Sequence, residues 1–431
     1  MKIRVSSNSL VYCAIAVSIS YAFLPLIRVL PESIRTVWRI VPLFFLVIAI
    51  LLAKELHLVL FFIATVFFGV FSGWVRSMVY ANGMGKSIIS NCLGSVAYWS
   101  QMALGYCALV FLKGGQAKKL IIFARNTCIF SCITTIVVNI IIPGATRVSA
   151  SFDTVDFPYY KYNAGAYSFI YSIVFFLTIA LFLSAAKRGS YVFNDKKRWV
   201  ITSILIVVTI FFSQYMTAIA IAALSFFIFG KEDNWVKFLK MLFVVIFFVL
   251  FSNIITSLFK AFADKASNNG MSLLSERLLG ISAFAGSGQS KGDVGSRVYL
   301  YWVSLQHFLK NPLFGLIGTL NFHRARYHTA SELLNLKVGK IMAVGQHSDI
   351  IDLLGGSGLF GIIPFIVILS AYYKTIKSYI IKNSTANLLF VIAVQYLLYG
   401  VVDHSFSCFD VALVVFVVPA LVIIEENGSV M

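Results

Sequence analysis

The sequence predicts an all-α polytopic membrane protein, and three observations carry that prediction. Of 431 residues, 59% are hydrophobic and only 12% are charged, about half the charged share of an ordinary soluble domain. Mean hydropathy is +0.88. Apolar runs long enough to cross a bilayer, about 20 residues each, recur along the whole chain. Twelve spans are expected, at 10–27, 40–53, 57–73, 92–112, 120–142, 164–186, 199–212, 217–230, 238–258, 355–373, 386–402 and 409–424. Residues 1–431 read as one integral domain, with no repeat of fixed period.

The first run follows Lys2 and Arg4 but lacks a small-residue cleavage site, so it reads as a retained helix rather than a signal peptide. With the N-terminus inside, the inner connections hold 17 Lys and Arg against 7 in the short outer ones. That bias predicts both termini on the cytoplasmic side. It also accounts for the net charge of +18, which is spread over loops and does not form a nucleic-acid footprint. The six cysteines sit in or beside apolar runs without a C-x-x-C pair, as small hydrophobes do. No disulfide or metal site is expected from them.

One segment, 259–349, is long enough to be a soluble-sized loop, and the topology puts it on the outer (periplasmic) face. It holds ten Lys and Arg against five acids, so an anionic partner is expected there. Within it, Val298, Trp302, Leu305 and Leu309 form one apolar helical stripe, with Arg297, Tyr301, Ser304 and Phe308 beside it. Asn311-Pro312 should end this helix, which is predicted to lie flat on the membrane. Arg297 near its start suits a phosphate, or it is an arginine snorkelling at the interface. Further on, "NFHRARYH" concentrates His323, Arg324, Arg326 and His328. No acidic or thiol ligand accompanies those histidines, so a solvated basic loop or a phosphate or sugar contact fits better than a metal.

"GQHSDIIDLLGGSGLFG" (345–361) follows. Ser348 can cap a helix whose first turn holds Asp349 and Asp352, where the dipole favours acids. Capping does not explain His347. The glycines that follow permit a bend and close packing. Asp403 and His404, in "VVDHSFSC", are expected at the same outer face, and ionisable residues at that depth are functional candidates.

"GSRVYLYWVSLQHFLKNPLFG" followed about 30 residues on by "HSDIIDLLGGSGLFG" resembles the bacterial O-antigen polymerase and ligase superfamily. The resemblance covers the C-terminal part of the chain. It implies a glycosyltransferase of the membrane-embedded C type (GT-C) that needs no metal or other cofactor. Its donor would be a glycan on undecaprenyl pyrophosphate in the bacterial inner membrane. Arg297 would contact the pyrophosphate, and His347 would act as base or position the acceptor. Tyr301, Arg324, Arg326, Asp349, Asp352, Asp403 and His404 are the candidate substrate-binding residues. Members often carry an arginine in a Ser-Arg-Gly turn that corresponds to "SQYMT" (213–217), where Gln214 and Tyr215 stand instead.

The resemblance favours a polymerase that transfers a growing glycan to a second lipid-linked repeat unit, with a chain-length regulator as a further partner. A ligase acting on lipid A core is the alternative, and a lipid-oligosaccharide flippase the reading outside enzymology. Transporters usually place their charges at mid-membrane around symmetric broken helices. The polar candidates here gather in one outer loop and at outer span ends.

Overall fold

A computed structural model describes residues 6–24, 27, 30–80, 87–141, 146, 167–185, 195–213, 215–228, 252–269, 275, 279, 293–319, 344, 348–381, 383–403 and 408–428. The described residues form helices α1 (Ser7–Phe23), α2 (Glu32–Ala53), α3 (Leu56–Val79), α4 (Ile88–Phe111), α5 (Gly114–Ile141), α6 (Tyr167–Ala185) and α7 (Lys196–Ser213). They continue with α8 (Met216–Ile228), α9 (Ser252–Asn268), α10 (Asp293–Lys310), α11 (Asp349–Ser378) and α12 (Asn383–Val402). Phe409–Ala412, a π turn Leu413–Val417 and Val418–Gly428 run on as α13. Among the described residues the only extended pairing is a single bridge, Tyr80 to Val344.

Among the described residues six helical stretches are long and apolar enough to cross a membrane: Ser33–Ala53, Leu56–Val79, Gly114–Ile141, Tyr167–Ala185, Asp349–Ser378 and Thr385–Val402. The protein is an all-α membrane protein. Each predicted span coincides with a helix except 238–258, most of which lies outside the described residues. The tenth begins earlier than its apolar run, because the helix already starts at Asp349.

Burial ranks the helices by position. The apolar window of α6 is 78% buried and that of α2 only 22%, so α6 is central and α2 peripheral. Small residues set the closest approaches. A Cβ on Gly69 would stand 2.8 Å from Val96 Cα, and one on Gly73 2.5 Å from Cys92 Cα, so α3 and α4 touch nearly backbone to backbone. Several polar side chains inside the bundle pair with one another, as burial away from water favours. Tyr98 and Tyr396 share a hydrogen bond of 2.8 Å, and Thr178 Oγ1 donates to Gln395 Oε1 at 2.8 Å. The π turn in α13 leaves the Phe416 carbonyl for the Tyr372 hydroxyl.

The two ends of the bundle differ in charge. Lys113, Lys118, Lys119, Lys196, Lys197 and Arg198 lie at the starts of α5 and α7. Arg125, 2% exposed, bonds Asp195 at 2.9 Å and lies over the Trp199 ring there. The opposite end, where α6, α11 and α13 begin and α3 and α12 finish, carries Asp349, Asp352, Asp403 and Asp410.

A break in α11 shapes that second end. Gly358 has φ 60°, ψ −151°, which interrupts the helix and frees amide N–H groups. Leu359 N–H donates to Pro312 O at 2.9 Å and Phe360 N–H to Leu313 O at 3.0 Å. The Asn311–Gly315 turn after α10 therefore plugs the break. The turn is closed by Gly315 N–H to Asn311 O (2.7 Å) and Phe314 N–H to Asn311 Oδ1 (3.3 Å). A Cβ on Gly358 would meet Pro312 O at 2.5 Å, and Gly355 packs on the Ser304 carbonyl.

The outer-loop helix ends at Lys310, just before Asn311-Pro312, in agreement with the sequence. The helix starts at Asp293, so Gly295 and Ser296 lie within its first turns. It rests on the bundle through Leu300, Val303 and Ser304, with Trp302 and Leu309 left 50% and 65% exposed. Tyr301 and Ser304 thus face protein, while Trp302 and Leu309 of the apolar stripe face away.

Gly358→Ala combines left-handed backbone with the Pro312 contact. It should lower stability by about 1–3 kcal/mol, read as an earlier thermal transition of the detergent-purified protein. An unchanged transition would show that the plug is not closely fitted.

Candidate functional site

The acidic end is built from helix termini, each set by local sequence. Ser348 caps α11, its Oγ accepting from Ile351 N–H at 3.0 Å. Asp352 reaches back, Oδ2 accepting from Ser348 N–H at 3.3 Å. Its other oxygen accepts from Ser304 Oγ of α10 at 2.6 Å. Both Asp352 oxygens are therefore engaged in holding the cap and the outer helix. Ser348 Oγ also donates to Gly400 O at 3.0 Å, and Asp349 N–H to Asp403 O at 3.3 Å, which ties the start of α11 to the end of α12. Tyr301 OH donates to Val402 O at 2.7 Å.

Asp403, 1% exposed, is held by aromatic hydroxyls. Tyr167 OH donates to its Oδ1 at 2.7 Å and Tyr171 OH to its Oδ2 at 2.9 Å. Tyr399 OH donates to Tyr167 OH at 3.2 Å, and the Tyr399 ring stacks on Tyr171 with centroids 4.4 Å apart. Tyr215 packs on the same group, 5.7 Å from Tyr167 and 5.9 Å from Tyr171 between centroids. The turn that holds an arginine in the resembled family thus lies at this site but contributes an aromatic wall. Ser168 Oγ donates to Asp410 Oδ2 at 2.8 Å.

The structure brings Asp349, Asp352, Asp403 and Tyr301 together at this end of the bundle. It places Arg297 in the second turn of α10, one turn before Tyr301 on the same stripe. His347, Arg324, Arg326, His404 and Gln214 lie outside the described residues. His347 immediately precedes the Ser348 cap, and His404 immediately follows Asp403.

Arg76, in the last turn of α3, is a residue the sequence reading missed. Its positive charge acts on both Tyr80 and Cys408, as does the negative charge of Asp349. Its Nε is buried without a hydrogen-bond partner. Burial pushes the Tyr80 phenol well above its ordinary range, and Asp352 and Asp349 push it further while Arg76 opposes them. Burial likewise raises the Cys408 thiol, reinforced by Asp410 and Asp349. The only signal in the sequence was an arginine at the end of an apolar run, which reads as snorkelling.

Chemically, this end offers buried carboxylates held by hydroxyls, phenols and a thiol kept protonated, and a guanidinium with an unused donor. Among the described residues no group of His, Cys, Asp and Glu is arranged to hold a metal ion. No family model matches the chain, and no curated protein matches it.

Two outcomes follow from this geometry. Asp403→Asn removes one of two acceptors for buried hydroxyls, and should cost about 1–3 kcal/mol, visible as an earlier thermal transition; Tyr171→Phe should cost less. Cys408, protonated throughout the neutral range, should resist iodoacetamide at pH 8 in the folded protein. Rapid alkylation located by peptide mapping would mean that the thiol is ionised and open to solvent.

Proposed function

We propose that the protein is a surface-polysaccharide polymerase of the O-antigen type, a GT-C enzyme with twelve spans and both termini cytoplasmic. It would transfer a growing glycan from undecaprenyl pyrophosphate to the non-reducing end of a second lipid-linked repeat unit at the periplasmic face of the bacterial inner membrane. The observation that carries this reading is the interlock of two distant segments. The Asn311–Gly315 turn fills the break in α11, and Ser304 bonds Asp352, so the segments that bear Arg297 and His347 meet at one end of the bundle.

The chemistry needs little beyond such an arrangement. Pyrophosphate is a good leaving group, so the protein must mainly hold it and offset the charge that develops as the anomeric C–O bond breaks. Arg297 and Arg76 supply guanidinium donors for that purpose. The attacking sugar hydroxyl must lose a proton, and an imidazole such as that of His347 is a chemical type suited to take it. Asp352 is committed to Ser348 and Ser304. The wall formed by Tyr167, Tyr171, Tyr215 and Tyr399 suits stacking against a sugar face. An end position in the bundle lets lipid-linked substrates arrive laterally.

The test is purified protein in lipid given only undecaprenyl-pyrophosphate-linked repeat units, with products resolved on a gel. A ladder is expected. His347→Ala should reduce it by about 10²-fold or more, and Arg297→Lys by about tenfold, since lysine keeps the charge but loses the paired hydrogen bonds. Transfer only after lipid A core is added would identify a ligase. Movement of the intact lipid-linked unit without a product would identify a transporter.

A further inference from the structure

A second group of basic side chains stands at the same end of the bundle, away from the site above. Arg35, Trp38 and Arg39 share one face of the first turns of α2. Ser7 Oγ donates to Ala49 O at 3.0 Å, which sets α1 and α2 antiparallel and puts these residues beside the end of α1. The Arg39 guanidinium lies over the Tyr21 ring, 5.8 Å from its centroid. Tyr21 meets Phe409 edge-on at 5.3 Å, and Phe409 stands between Cys408 and Asp410. The group therefore flanks the acidic site on the α1–α2 side, whereas Arg76 belongs to α3.

These side chains carry unused binding capacity. Arg35 Nε and Trp38 Nε1 are buried and have no hydrogen-bond partner. Arg39 spends one weak bond of 3.4 Å on Thr36 Oγ1. Among the described residues no carboxylate forms an ion pair with Arg35 or Arg39, although like charges one helical turn apart repel. Buried donors without acceptors are costly, so an anion with several oxygens is the natural complement. Ile34, Val37, Phe44 and Ile48 form an exposed apolar stripe next to this face. An anion carried on a lipid can reach it from the bilayer without crossing water.

Polymerisation joins glycans carried on two lipid pyrophosphates, the donor's leaving and the acceptor's staying attached, so a single phosphate site is not enough. We infer that Arg35, Arg39 and Trp38 form a second phosphate site, which holds the pyrophosphate of the acceptor lipid while Arg297 and Arg76 hold that of the donor. The inference rests on the polymerase reading for the ligand's role, and on the α1–α2 geometry for the site itself.

The test counts undecaprenyl pyrophosphate bound per chain by native mass spectrometry in phosphatidylcholine nanodiscs. Wild type should bind two equivalents. The Arg35→Gln/Arg39→Gln variant should bind the first as wild type does, which reports an intact fold, with the second weakened at least about tenfold. One equivalent in wild type, or two undiminished in the variant, overturns the site. Displacement of the second equivalent by phosphatidylglycerol at equal concentration overturns the pyrophosphate assignment. Two equivalents in wild type and one in the variant, from a protein that makes no ladder, would uphold the phosphate site and sink only the polymerase reading.

Discussion

A helix inside a membrane must find a partner for every backbone N–H, and the break in α11 is where this chain meets that constraint from outside the helix. Gly358 takes a left-handed φ and releases Leu359 and Phe360 from the ladder. Their acceptors are the carbonyls of Pro312 and Leu313, 47 residues earlier in the sequence. Proline at 312 has no N–H of its own to satisfy, so the turn can present carbonyls without burying a further donor. The glycines on both sides are required by space: Gly315 and Gly355 touch backbone where a side chain would not fit.

Much of the acidic end follows from this contact. With the turn fixed, α10 lies along α11, Ser304 reaches Asp352, and Tyr301 reaches the last carbonyls of α12. Asp352 then serves two purposes at once, cap of its own helix and anchor of the outer one. Asp403 is held independently, by tyrosines from the central helix α6. The site thus has a rigid wall on α6 and α12 and a second wall that depends on the plug.

Charge balance gives these walls a chemical meaning. Buried carboxylates stay ionised only with donors or counter-charges nearby. Hydroxyls and the Ser348 amide supply donors, and Arg76 supplies positive charge from α3. In the proposed reading Arg297 adds to it, and a pyrophosphate would draw the arginines toward itself. An acidic site that binds an anion is then no paradox: the carboxylates orient groups and the arginines meet the ligand.

Several features were legible in the sequence because they depend on local rules. Apolar runs gave the helices, Asn311-Pro312 gave the end of α10, and Ser348 with Asp349 and Asp352 gave a capped helix start. The glycines after Leu354 announced a bend. Other features needed the tertiary structure, because they join residues far apart in the chain. No periodicity says that Pro312 and Leu313 accept from Leu359 and Phe360, or that Tyr167 and Tyr171 both point at Asp403. Arg76 and the Arg35–Arg39 pair looked like ordinary span-end arginines until their neighbours were visible. Hydropathy records how deep a residue lies along its own helix, and only the packing of helices decides what it faces.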